Sequence, residues 1–220
     1  MEPGVGFDHQ VDHLIASGYP GSCEMTPLAF RQRLAPLRAT IEDLPPAAWE
    51  SRIPFVIVVR STLLPADRAM PLVRLGDRTG FTRMTAADLE RFAPVDGVVV
   101  PAGSDDTAYL LLDVDTGGST LDMPPDLAMN RIREHGRSPL TIEEGVAVVT
   151  HYPDLLRSRN CFSMLGSRCG DRRVTALWLS AGRPRLGWCW AGAAHTWLGS
   201  ASCGARLGVA SRASAQHAAF

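Results

Sequence analysis

The chain of 220 residues and 23.7 kDa, 45% hydrophobic and 20% charged, is long enough to bury a full core and reads as one globular domain. Its formal net charge of -1 and sequence pI near 6.6 give no basic face with which to displace counterions, so neither nucleic acid nor a membrane is expected as a partner. All 22 residues in the Lys+Arg count are arginine, which excludes a Walker A nucleotide loop, a pyridoxal phosphate Schiff base and a kinase phosphate clamp, each built on lysine.

Residues 1–10 lack the positive and apolar regions of a secretory signal, and no window approaches 18 uninterrupted apolar residues. The expected location is the cytoplasm, where the five cysteines would be thiols or metal ligands and not disulfides. Thr26 before Pro27 predicts a helix start; Leu28, Phe30, Leu34 and Leu37 supply its apolar stripe, and Pro36 or the Pro45-Pro46 pair must end it. Residues 53–60 form a β-branched run expected as a buried strand, with Pro54 near its start. Thr85 and Asp88 have capping-box spacing and open a short helix. Residues 98–100 and 109–114 read as strands of a hairpin turned by Gly103, Ser104, Asp105 and Asp106.

A helix over 126–134 should end at Gly136, and Thr141 with Glu144 is a second capping box opening a helix over 142–150. Another short helical stretch follows Pro153. Strands are expected over 173–180 and 185–191, joined by Ala181, Gly182, Arg183 and Pro184, with a third over 196–203. The expected fold is α+β: a single domain over 1–203 whose carboxy-terminal third is an antiparallel, Trp-rich sheet packed against helices, followed by a disordered tail over 204–220.

Roughly residues 40–206 resemble an uncharacterised actinobacterial family catalogued as a domain of unknown function. The stretches that carry the resemblance are Arg137-Ser-Pro-Leu-Thr-Ile-Glu-Glu-Gly145, Asn160-Cys-Phe-Ser-Met-Leu-Gly-Ser-Arg-Cys-Gly-Asp-Arg-Arg173 and Gly182-Arg-Pro-Arg-Leu-Gly-Trp-Cys-Trp-Ala-Gly192. The resemblance implies a cytoplasmic protein and carries no activity.

Residues 160–203 concentrate Cys161, Cys169, Cys189, Cys203, Trp178, Trp188, Trp190, Trp197 and His195, so recognition or chemistry is expected there. The leading reading is a non-catalytic binding or regulatory protein that takes a small molecule or a protein on an aromatic and arginine surface, with Arg168, Asp171, Arg172, Trp190 and Trp197 as contact residues. Alternate spacing would put Trp178, Trp188 and Trp190 on one face of a two-stranded ribbon, where the competing structural role is the core side of a sheet. The alternative is an enzyme. Cys161, beside Arg159 and Arg168, would be the nucleophile and His195 or His151 the base. A zinc ion held among Cys161, Cys169, Cys189, His195 and Cys203 is a further option, although no Cys-x-x-Cys knuckle is present. Asp115-Thr-Gly-Gly-Ser119 mimics an aspartic-protease loop, but one copy supplies one carboxylate, so only a dimer would complete the pair. Asp113 and Asp115 also suggest a phosphotransferase motif or a divalent-ion loop; Gly117 and Pro124 stand where those patterns require other residues.

Overall fold

A computed structural model describes residues 3–42, 53–101, 107–157 and 160–209. The first half runs through helices α1 (Pro3–Ala16), α2 (Tyr19–Ser22) and α3 (Pro27–Glu42) to strand β1 (Ile53–Val59). Short elements follow: α4 (Ala66–Ala69), β2 (Arg74–Leu75), β3 (Arg78–Thr79), β4 (Phe81–Thr82), α5 (Ala86–Glu90) and β5 (Ala93–Pro94). The second half holds β6 (Ala108–Val114), α6 (Pro125–Glu134), β7 (Ser138–Pro139) and α7 (Ile142–His151). It closes with β8 (Cys161–Arg168), β9 (Arg173–Ser180), β10 (Arg183–Trp190), β11 (Leu198–Ser200), β12 (Ser202–Cys203) and β13 (Ala205–Leu207).

The class is α+β. One sheet has the order β1-β6-β13; the larger has the order β11-β8-β9-β10-β4, with β5 on β8. Helix α7 lies between them, touching β1 on one side and β8 and β9 on the other, with Val146, Ala147, Val148 and Val149 all buried. That double burial explains why its sequence is apolar nearly all round and not striped.

Both capping boxes form. Thr85 and Asp88 cap α5, and Thr141 and Glu144 cap α7, each side chain reaching the other's backbone N–H. Thr26 accepts the Ala29 N–H at 3.1 Å, and Phe30, Leu34, Leu37 and Ile41 of α3 are buried. Pro36 does not end this helix, because the apolar stripe continues through Leu37 and Ile41 and their burial outweighs one missing N–H donor. Pro45 and Pro46 lie outside the described residues. Helix α1, which the sequence analysis does not anticipate, buries Phe7, Val11 and Leu14. Its Gln10 acts as a strand partner, accepting the Ile57 N–H at 2.8 Å and donating to the Phe55 carbonyl at 3.0 Å.

The expected hairpin of 98–100 with 109–114 does not form. Strand β6 pairs antiparallel with β1, Val58 opposite Tyr109, and the valine run, with Val98 buried and Val99 78% exposed, pairs with no strand among the described residues. Its proposed turn, Gly103 to Asp106, lies outside the described residues. The larger sheet is mixed and not purely antiparallel: β11 runs parallel to β8, and β4 parallel to β10. Strand β8 is buried through Ser167 on both faces, and its mixture of small, polar and apolar residues hides it from any test of alternation. The tail expected from Gly204 begins instead with β13, which pairs with β6; Arg206 anchors it through the Glu144 carboxylate, 2.8 Å from Nη2. Residues 210–220 lie outside the described set. Among the described residues no helix is long and apolar enough to cross a membrane.

Candidate functional site

The β9–β10 hairpin turns through Ala181 and Gly182, whose φ values of 51° and 72° make a two-residue connection of the kind that matches strand twist. Ser180 therefore pairs with Arg183, and residues of equal parity on the two strands point to opposite faces. The expectation of three tryptophans on one face is corrected accordingly. Trp178 stands opposite Arg185, whereas Trp188 stands opposite Thr175 and Trp190 opposite Arg173.

What joins Trp178 to the other two is the open edge of β10. Strand β4 covers β10 only at Arg185 and Leu186, and beyond it a groove of about 260 Å³ wraps over the backbone at Gly187. Trp178 fills the space above Gly187, its Cη2 only 2.4 Å from where a Cβ would stand. The groove is walled by Arg83, Asp88, Arg173, Trp178, Arg185 and Trp188. Guanidinium groups alternate with rings: Arg185 lies 5.0 Å from the Trp178 centroid and 5.8 Å from that of Phe81, and Arg173 lies 5.6 Å from Trp188. Trp188 and Trp190 meet edge to face at 5.0 Å and remain 40% and 53% exposed. These two rings are therefore outside the core, against the competing structural reading.

Charges around the groove are unequally satisfied. Asp171 accepts from Arg173 Nε at 2.9 Å and from the Cys169 thiol at 3.0 Å, and these bonds, Arg173 foremost, hold its carboxyl well below the usual range. The Asp88 carboxylate is taken up by Thr85, whose backbone and hydroxyl hydrogen bonds lower its pKa. Arg183 and Arg78 spend hydrogen bonds on the carbonyls of Thr79 and Ala181 and not on carboxylates. Arg185 Nε is buried with no hydrogen-bond partner among the described residues.

The predicted contact residues are only partly brought together. Trp190 and Asp171 adjoin the groove through Trp188 and Arg173. Arg168 turns to Asp126 of α6 at 3.6 Å, and the carbonyl of the exposed Arg172 accepts the Ala191 N–H. Trp197 packs with Cys161, Ala176 and Leu198, on the Trp178 face, with the His195 ring 5.2 Å from its own. Arg83, Met84 and Asp88 are groove residues with no local signal in the sequence, since the parallel β4–β10 pairing that delivers them spans about a hundred residues of chain.

Among the described residues Cys161 and His195 are not hydrogen-bonded to each other. The Cys161 thiol donates to the Arg157 carbonyl at 3.2 Å, and burial raises its pKa. Arg159, the proposed activating charge, lies outside the described residues. His151 donates from Nε2 to the Ile57 carbonyl, 3.3 Å away. The proposed metal set is dispersed: Cys161 and Cys189 sit in an apolar cluster, Cys169 on the β8–β9 turn, and Cys203 behind β6. Burial pushes Cys189 up to about 11 and Cys203 up to about 12. Among the described residues no three His, Cys, Asp or Glu side chains come close enough to hold a metal ion.

The aspartates of 113–115 serve the fold. Asp113 pairs with Arg137 at 2.5 Å, and its φ of 50° breaks the strand alternation that would align it with Asp115. Asp115 accepts the N–H of Gly117 at 2.7 Å, closing its own turn.

The model of a family of unknown function, DUF5701, matches residues 13–209 of the chain. No curated protein and no solved structure matches it.

Proposed function

Because the chain belongs to DUF5701, a family of unknown function, its role has to be argued from its own surface, and we propose that it is a non-catalytic cytoplasmic binding protein whose β10 groove takes an acidic, extended segment of a protein partner. The observation that carries this reading is the exposure of Trp188 and Trp190 beside stacked arginines. Tryptophan and arginine are the residue types that dominate binding energy at protein interfaces, where rigid rings and planar guanidinium forks lose little entropy on contact. Arg78, Arg83, Arg183 and Arg185 supply positive charge along this edge, and the nearby carboxylates of Asp88 and Asp171 are already engaged within the fold. Past Leu186 that edge of β10 pairs with no further strand among the described residues, which suits an extended segment adding main-chain hydrogen bonds there. A reducing cytoplasm accords with five free cysteines.

The test is fluorescence anisotropy with a labelled oligo-glutamate peptide, with oligo-lysine and single-stranded oligothymidine as controls. Oligo-glutamate should bind, weaken as salt is raised, and lose at least about tenfold in affinity on Trp188→Ala or Arg185→Gln. Cys161→Ala should leave that affinity unchanged. Tighter binding of oligothymidine, equal binding of oligo-lysine, or indifference to both groove variants would sink the reading.

A further inference from the structure

A larger cavity, about 590 Å³, lies between the end of β1, α4, α5 and the amino end of α7, and shares no lining residue with the β10 groove. That volume lies within the range of small-molecule sites, about 300–1,000 Å³. Its wall is continuous with the main hydrophobic core: Phe92 and Ile142 belong to that core, and Leu89 and Val100 pack against it. Pro65 and Pro94 extend the apolar surface. Apolar side chains that face a space this large forgo the dispersion contacts that close packing gives elsewhere in the core, and a molecule of matching shape restores them.

The charged groups around this cavity select for neither sign. Arg60 and Arg68 stand on the same lining as Asp67, Glu90 and Glu143. Most of them are engaged within the fold. Arg68 reaches across to the Ser22 carbonyl at 2.8 Å, and Arg60 stacks over the Tyr109 ring at 5.1 Å. Glu143 accepts the Ser61 N–H at 2.7 Å and the Tyr109 hydroxyl at 2.8 Å. Asp67 Oδ1 is closed off from solvent, and hence from the cavity. A charged ligand of either sign would give up its hydration and meet like charges as well as unlike ones, whereas an uncharged apolar body meets a wall of its own kind.

We propose that this cavity binds a small, uncharged, predominantly apolar molecule, seated against Leu89, Phe92, Val100 and Ile142. Affinity then comes from apolar area removed from water, so the heat-capacity change of binding is negative and salt has little effect on it. Both signatures separate the cavity from the β10 groove, where raised salt weakens an acidic partner.

The experiment is isothermal titration of the full chain with naphthaleneethanol at several temperatures and salt concentrations, with naphthaleneethylamine and naphthaleneacetate as cationic and anionic controls on the same skeleton. Naphthaleneethanol should bind saturably, about tenfold more tightly than either control, with a negative heat-capacity change and an affinity that salt leaves unaltered. Leu89→Trp fills the cavity from α5 and Val100→Trp fills it from the segment after β5, so each should abolish binding, with the melting temperature showing that the variant is folded. The comparison of the three ligands on the parent chain needs neither variant. No saturable binding of naphthaleneethanol, a charged control that binds as tightly, an affinity that falls with salt, or unaltered binding in either folded variant overturns the proposal. Trp188→Ala should leave naphthaleneethanol binding intact; its loss there would assign the molecule to the β10 groove and overturn the proposal as well.

Discussion

His151 closes α7 with its ring 5.7 Å from His13 and 6.3 Å from Tyr152, in the layer where α1 and α7 meet β1. Burial, and secondarily repulsion from His13, push its pKa down from 6.5 to about 3. The unfolded chain therefore binds a proton that the folded chain refuses throughout that interval. Stability contributed by neutral His151 is full above pH 6.5 and is lost as pH falls toward 3, with a slope of up to about 1.4 kcal/mol per pH unit. His151→Gln should flatten that part of the acid limb, as measured by denaturant unfolding across the same interval. An unaltered slope would mean that another group controls acid sensitivity. The cysteines follow the same rule with the opposite sign: burial disfavours the charged form and so raises the pKa of Cys161, Cys189 and Cys203.

On the scale of elements, β10 owes the groove to one absent side chain. A methyl at Gly187 would stand 2.4 Å from Trp178 Cη2 and 3.0 Å from its Cζ3, so the ring would have to leave its seat over the strand. Gly187→Ala should cost about 1–3 kcal/mol of stability and weaken oligo-glutamate binding, read by thermal melting and anisotropy. Gly21→Ala, where no atom lies within 4 Å of the new carbon, is the control that should change neither. Elements fixed by neighbours a few residues apart were legible in advance: the Thr85–Asp88 and Thr141–Glu144 boxes and the stop at Gly136. Elements fixed by distant partners were not. Strand β8 is enclosed by β9 and β11, whereas the run at 98–100 looks equally strand-like yet pairs with no strand among the described residues.

Across the whole molecule, β13 closes the three-stranded sheet and places Arg206 against Glu144, a carboxylate that is 0% exposed. Burial opposes the Arg206 charge, but hydrogen bonding and attraction from Glu144 outweigh it and raise its pKa. Tyr109 donates to Glu143 and lies within 3.0 Å of Glu144, so the cavity carboxylate and the carboxy-terminal strand share one buried network. Ending the chain after Cys203 should leave Glu144 unpaired and the β6 edge open, costing about 3–5 kcal/mol and favouring association. Denaturant unfolding and size-exclusion chromatography would read both effects, and a stable monomer would show that β13 is dispensable. The sequence by itself determined the α+β class, the capped helices and the strand at 53–59, because caps and β-branched runs act over a few residues. Only the tertiary structure decided that Trp178 faces away from Trp188 and that Arg83 and Asp88 complete the groove. Those outcomes depend on hairpin register and on pairings between segments far apart in the chain, and neither is encoded in local spacing.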